Sequence, residues 1–241
     1  MVKAYYDRIY ASSHLDLDEQ GNTFVKIADV WRETKPKMRI LDIGCGAGSV
    51  SGELVQRGHL VYGLDVMEEA VRRATQQGLI ARVYDVNQRL PLKDGYFDCV
   101  LALDILEHLF DPLVALQEIR RVLAADGYAI ISLPLHFDLR QRLRILAGKG
   151  IVLYEHLWYN PNNVAWRYFH IRFFTLREVE DFIATGGFRI EHRVYDCKFT
   201  KDMHWLGKLF LNRRVVALLS SRFPSLFASG IKVVIRPRLS S

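Results

Sequence analysis

The stretch Leu41-Asp42-Ile43-Gly44-Cys45-Gly46-Ala47-Gly48 constrains the fold more than any other part of this sequence. It follows the apolar run Met38–Leu41 and leads into Ser49–Gln56, which reads as a helix. A strand that turns through three alternate glycines into a helix lets a ligand touch the backbone. Glycine tolerates positive φ and has no Cβ to block close approach, and the free N–H groups of a helix start favour an anionic group. The dinucleotide fingerprint is G-x-G-x-x-G. Here the spacing is G-x-G-x-G, with Ser49 where that pattern needs its third glycine. Asp42 stands two places before the first glycine, where it would repel a pyrophosphate.

An acid-x-G-x-G-x-G phrase resembles the first motif of the class I S-adenosylmethionine-dependent methyltransferases. The resemblance implies that the amides of Gly44, Cys45, Gly46 and Gly48 lie against a methionine moiety and that Asp42 favours its ammonium. The next apolar run, His59–Leu64, ends in Asp65. A carboxylate about twenty residues beyond such glycines accepts hydrogen bonds from ribose hydroxyls, a feature shared with NAD enzymes. Val66 and Met67 follow, where an apolar side chain can lie on the adenine face. The run Leu79–Tyr84 ends in Asp85-Val86, and the resemblance implies an adenine amino group on Asp85 and a ring nitrogen on the next N–H. The phrase P-x-x-D-x-x-F-D…L-E-H, from Pro91 to His108, is similar to small-molecule methyltransferases that include MetW-like proteins. It implies that Leu103, Asp104 and His108 border the cofactor pocket. Any one of these acids is more often a cap or turn residue; four strand ends bearing the right group in the right order are harder to assign to caps.

The remaining pattern alternates strand and helix. Strands are expected at Met38–Ile43, His59–Leu64, Leu79–Tyr84, Phe97–Leu103, Tyr128–Leu133, Phe188–Val194 and Ile231–Arg236, with Asp126-Gly127 as the turn into the fifth. Helices are expected at Ser49–Arg57, Glu68–Gln77, Pro112–Leu123 and Thr175–Thr185, with a short turn near Leu103–Leu109. Asp111 before Pro112 is a start signal, and Thr175 with Glu178 makes a capping box. The apolar positions Leu113, Leu116, Ile119, Val122 and Leu123 fit one buried face. Such alternation implies an α/β protein whose parallel sheet is covered on both faces. The resemblance implies a Rossmann-like, seven-stranded methyltransferase sheet in the order 3-2-1-4-5-7-6. In it the last strand is antiparallel, helices lie on both faces, and a helical insertion or cap is added. One domain over 1–241 is expected: an N-terminal cap (1–36), a cofactor-binding core (37–133), a substrate-side insertion (134–174), and a C-terminal half (175–241) with a basic helical insertion at 201–230.

Composition excludes some classes. With 241 residues, half of them apolar, the chain can bury one good core. Its three cysteines are scattered, without metal spacing, so free thiols and no metal site are expected. Cys45 is read as packing. No basic-then-apolar leader and no run near ~18 apolar residues appears, so a cytoplasmic location is expected. Residues 1–135 carry 15 basic and 19 acidic groups, 136–172 carry 6 and 2, and 201–241 carry 8 and 1. The positive excess of the whole chain, +6, thus sits on the elaborations. A basic rim suits a small, anionic acceptor, and equally a merely solvated face. A basic, apolar C-terminal segment is also suited to peripheral membrane contact. Nucleic acid is not expected, for lack of an RNA module or a dense Lys/Arg stripe.

The resemblance implies S-adenosyl-L-methionine as cofactor and S-adenosyl-L-homocysteine as product. Methyl transfer from a sulfonium is an in-line displacement with a neutral leaving group, so alignment matters most. A hydroxyl acceptor benefits from a base within hydrogen-bond reach. His108, His136, His156 and His170 are the candidates, and His170 can instead serve only to orient the helix that follows. O-methylation is the preferred reading. The rivals are a non-catalytic, cofactor-binding regulatory partner, a methyltransferase of RNA or of a lipid-linked substrate, and an NAD-dependent dehydrogenase.

Overall fold

In the computed structural model, residues 26–151, 170–196, 218–219 and 221–238 are described. Seven strands form one sheet in the order β3-β2-β1-β4-β5-β7-β6. The strands are β1 (Arg39–Ile43), β2 (Leu60–Asp65), β3 (Ile80–Val83), β4 (Phe97–Leu103), β5 (Leu123–Pro134), β6 (Phe188–Asp196) and β7 (Gly230–Pro237). The helices are α1 (Ser51–Gln56), α2 (Glu68–Gln76), α3 (Pro112–Val122), α4 (Leu139–Leu146), α5 (Leu176–Thr185) and the short α6 (Pro224–Phe227). Strands β1 to β5 pair in parallel, and β7 runs antiparallel to both of its neighbours.

Alternation along the strands explains the layers. Leu41, Ile43, Val100, Ala102, Ala129 and Ile131 pack on one face with Leu116 and Ile119 of α3 and Val179 and Ile183 of α5. Ile40, Cys99, Leu101, Tyr128 and Ile130 pack on the other with Leu54 of α1 and Ala74 of α2. Side chains alternate across a strand, so a strand covered on both sides must be apolar throughout. Six successive residues of β4, Phe97 to Ala102, are buried accordingly. Ile27 and Val30 join the second cluster from a turn at 26–30.

Most expected elements appear within a few residues of their expected ends. On α3 the buried face is Ala115, Leu116, Ile119 and Val122, with Ala115 in place of Leu113. One expectation is overturned: Asp126-Gly127 is not a turn before the fifth strand but lies within β5. Phe97 pairs with Leu123 and Cys99 with Tyr128, so the intervening residues of β5 bulge out of the ladder. A bulge keeps turn-forming residues inside a strand. The Tyr5-Tyr6 segment, His156 with most of the aromatic insertion, and residues 201–217 lie outside the described residues. Among the described residues, no helix is long and apolar enough to cross a membrane.

Candidate active site

The strand order reverses between β1 and β4, and in open α/β sheets ligands bind in the crevice at that switch point, beyond the carboxyl ends of the strands. The glycine loop leaves β1 on one side of this crevice, and Asp104 follows β4 on the other.

Gly44, Gly46 and Gly48 all have positive φ. Two of them answer to packing: a Cβ on Gly44 would lie 2.8 Å from Ile105, and one on Gly48 3.1 Å from the Ala74 backbone. A Cβ on Gly46 would meet nothing within 4 Å. Gly46 is therefore the glycine whose bare face is open to a ligand. The amides of Gly44 and Cys45 both donate to the Leu64 carbonyl, at 2.8 and 3.1 Å, which locks the loop onto β2. Cys45 packs against Gly63, and burial raises its thiol pKa, so it has a packing role, as expected.

The acids divide into distinct roles. Asp42 turns inward: it is buried and accepts a hydrogen bond from Ser51 of α1. This bond ties the loop to the helix that follows. Burial raises the Asp42 pKa, the Ser51 hydroxyl lowers it, and Asp65 raises it again, to about 7. Asp65, at the end of β2, is half-buried and accepts from the Gly46 amide and the Met67 amide, both at 2.9 Å. Desolvation pulls its pKa up while the Met67, Gly46 and Val66 amides oppose the rise. Asp85 uses Oδ1 for the amide and side chain of Asn87, at 3.0 and 2.8 Å. Asn87 in turn accepts from the Phe110 amide at 2.9 Å, linking the two sides of the crevice. Met67 is partly exposed, whereas the side chain of Val86 belongs to the core.

Beyond β4, Leu103 is partly buried and Asp104 adopts φ 51°, unlike every other non-glycine among the described residues. Its amide is held by Ser132, whose hydroxyl donates to the Asp104 carboxylate at 2.8 Å. A residue held in a sparsely populated conformation marks a place where structure overrides local preference. A 3-10 turn, Leu106–His108, follows and buries Glu107 and His108. The carbonyl of Glu107 accepts from the amides of Ile171 and Arg172, at 3.0 and 3.1 Å, and so draws His170 onto the turn.

Three of the four candidate histidines meet there. The rings of His108 and His170 lie edge-to-face, 4.6 Å between centroids, and His136 Nε2 lies 3.2 Å from His170 Nδ1. His136 is buried, and burial pushes its pKa down to about 4, so it is neutral at neutral pH. Glu107, His108 and His170 each offer a ligand atom within 4.8 Å of the others. Spacing alone does not reveal this set, because His170 arrives from a distant segment. Asn87, Ser51 and Ser132 carried no role in the sequence reading, and Glu107 entered it only within the L-E-H phrase. Of these only Asn87, in an Asp-x-Asn phrase of the Asx-turn type, had a local signal.

Residues 41–131 match the family model of the methyltransferase domain. This segment is similar to a methyltransferase domain. Curated relatives include the ubiquinone biosynthesis O-methyltransferase of Caulobacter sp. strain K31, 32% identical over 139 residues, 55% of this chain and 53% of that protein. The enzyme of the same name from Parvibaculum lavamentivorans is 27% identical over 193 residues, 77% and 68% of the two chains. The chain thus spans about half the length of the first of these relatives. Among solved structures, the chain is similar to one from a complex that contains the Haloferax volcanii Trm112 methyltransferase activator. The TM-score is 0.67 at 16% identity, covering 100% of this chain and 99% of that one. An S-adenosylmethionine-dependent methyltransferase from Methanosarcina mazei gives 0.60 at 20% identity, over 89% and 98%. At such identities the likeness shows the shared fold.

Proposed function

We propose that the chain transfers a methyl group from S-adenosylmethionine to an oxygen of a small or medium-sized acceptor. The observation that carries the reading is Asp65. Two backbone amides hold its carboxylate at the end of β2, one of them from Gly46, whose Cβ position is open, and this supports a ribose diol on Asp65. Asp85 would take the adenine amino group, with Met67 against the ring. The cofactor supplies an electrophilic methyl carbon on sulfur and departs neutral. What remains for the protein is alignment and, for a hydroxyl acceptor, removal of a proton. Asp104 and the histidines at the ends of β4 and β5 border the acceptor side. His136, neutral at neutral pH, can orient His170 through the 3.2 Å contact, which leaves His108 and His170 as the imidazoles closest to an incoming hydroxyl. The relatives named O-methyltransferases support oxygen as the atom methylated. The basic excess of residues 136–172 and 201–241 supports an anionic acceptor.

The test has two arms. Calorimetry with S-adenosylhomocysteine should show binding, weakened at least about tenfold by Asp65→Ala, since hydrogen bonds to a charged group are each worth roughly 1.5–3 kcal/mol. Incubation with labelled S-adenosylmethionine and a cell extract should yield a labelled small molecule. Full affinity in the Asp65→Ala variant would sink the ribose assignment. Binding without any labelled product would point instead to the non-catalytic regulatory partner.

A further inference from the structure

We propose that Glu107, His108 and His170 form a site for one divalent first-row transition-metal ion, on the acceptor side of the crevice. Glu107 Oε1 lies 3.9 Å from Nε2 of His108 and 3.9 Å from Nε2 of His170. One carboxylate oxygen and two imidazole nitrogens are the donors that zinc, cobalt, iron and manganese accept. Magnesium and calcium favour all-oxygen shells.

The arrangement is built into the backbone. Glu107 and His108 are neighbours on one 3-10 turn. The Glu107 carbonyl, by accepting from Ile171 and Arg172, fixes the segment that brings His170 alongside. The Glu107 side chain is 1% exposed, and those of His108 and His170 are 11% and 12% exposed. His136 Nε2 lies against His170 Nδ1, leaving Nε2 of His170 towards Glu107. Orientation of a ligating imidazole by a second polar group is a regular feature of metal sites. Around an ion with bonds of about 2.1 Å, neighbouring ligand atoms in a tetrahedron stand roughly 3.4 Å apart. The two Glu107–imidazole separations must therefore close by about half an ångström on binding, and the two imidazole ligand atoms start within 4.8 Å of each other.

Three protein ligands leave a coordination position open, the mark of a catalytic site. An acceptor oxygen in that position would be polarised towards its anion and held in place; with the ion bound, His108 and His170 would serve as its ligands instead of as the base. This role deepens the methyl-transfer reading and rests on it; the ion site itself does not.

The full chain, stripped of metal with a chelator, should bind about one Co2+ per chain, with the visible absorption that imidazole and carboxylate ligation intensifies. Zn2+ should displace it. Glu107→Gln and His170→Ala should each weaken Co2+ binding by at least about tenfold, while His192→Ala, exposed on β6, should not. Circular dichroism checks that each variant is folded. If Glu107→Gln does not fold, His170→Ala decides alone. Absence of both the Co2+ spectrum and Zn2+ binding heat in the intact chain overturns the proposal, as does unchanged affinity in folded His170→Ala. Titration of the same sample with S-adenosylhomocysteine separates the two readings. Nucleoside binding without metal binding sinks only the ion site, and metal binding without nucleoside binding sinks only the methyl-transfer reading.

Discussion

At Asp42 and the glycines beside it, packing and ligand contact are separable residue by residue. Asp42 has an ordinary pKa of 3.8 that burial chiefly raises to about 7. The folded state therefore holds a proton that the unfolded state gives up between these values. Stability from this group is full below about pH 4 and is lost as pH rises towards 7, by up to about 4 kcal/mol. Asp42→Asn keeps an acceptor for Ser51 and removes the titration. Urea unfolding at about pH 5 and about pH 8 should show the wild type losing stability relative to the variant; equal pH dependence in both would refute the buried-carboxylate account. Gly44→Ala and Gly46→Ala both place a side chain at positive φ, which costs about 1–2 kcal/mol. Only the first also drives a Cβ to 2.8 Å from Ile105, adding about 1–3 kcal/mol of overpacking. Thermal melts should rank Gly44→Ala well below Gly46→Ala, and calorimetry should show the milder Gly46→Ala variant losing affinity for S-adenosylhomocysteine. The reverse ranking would mean that the bare face of Gly46 serves the fold and not a ligand.

Elements whose signals are local are legible in the sequence. Helix α5 starts where Thr175 and Glu178 form both halves of a capping box, with Thr175 Oγ1 accepting from the Glu178 amide at 3.3 Å and Glu178 accepting from the Thr175 amide at 2.8 Å. Thr175→Ala should lower unfolding stability by about 1 kcal/mol and leave affinity for S-adenosylhomocysteine unchanged, measured by denaturation and calorimetry side by side. A loss of affinity would show that the cap also positions the crevice. Helix α3 is read as easily, from Asp111, whose side chain accepts from Leu113 and Val114, and from Pro112 behind it. The bulge of β5 is not, because Asp126-Gly127 satisfies every local rule for a turn and only the pairing of Phe97 with Leu123 shows otherwise. The phrase P-x-x-D-x-x-F-D singles out the right segment, yet two of its acids brace the scaffold. Asp94 pairs with Arg121, while Asp98 takes the Arg39 amide at 2.7 Å and Lys35 at 2.8 Å. The proposed nucleoside side is marked in the sequence by Asp65, which ends β2, and by Asp85, two residues beyond β3. The acceptor side is not: the meeting of Glu107 and His108 with His136 and His170 depends on a segment returning from beyond β5, and no spacing rule encodes that return.

Across the described residues, burial is graded from the centre of the sheet to its edges, and the candidate site lies at the carboxyl ends of the central strands. Residues of β1, β4 and β5 that face either layer are almost all inaccessible. Strand β3 is an edge of four residues with Ile80 and Val83 each 43% exposed. The opposite edge, β6, alternates charged residues outward and is shifted in register against β7 between Ile190 and His192, both devices that blunt an edge. Amide exchange follows burial and hydrogen bonding in cooperative units. Peptides from β1, β4 and β5 should therefore exchange slowest, and the β3 peptide should exchange early. A nucleoside ligand bound as proposed would touch the carboxyl ends of four strands at once, so S-adenosylhomocysteine should raise protection together at 44–48, 65–67, 85–87 and 104–108. Slowed exchange confined to the glycine loop would mean that the ligand rests on one helix start alone, and the crevice across β1 and β4 would lose its claim to be the binding site.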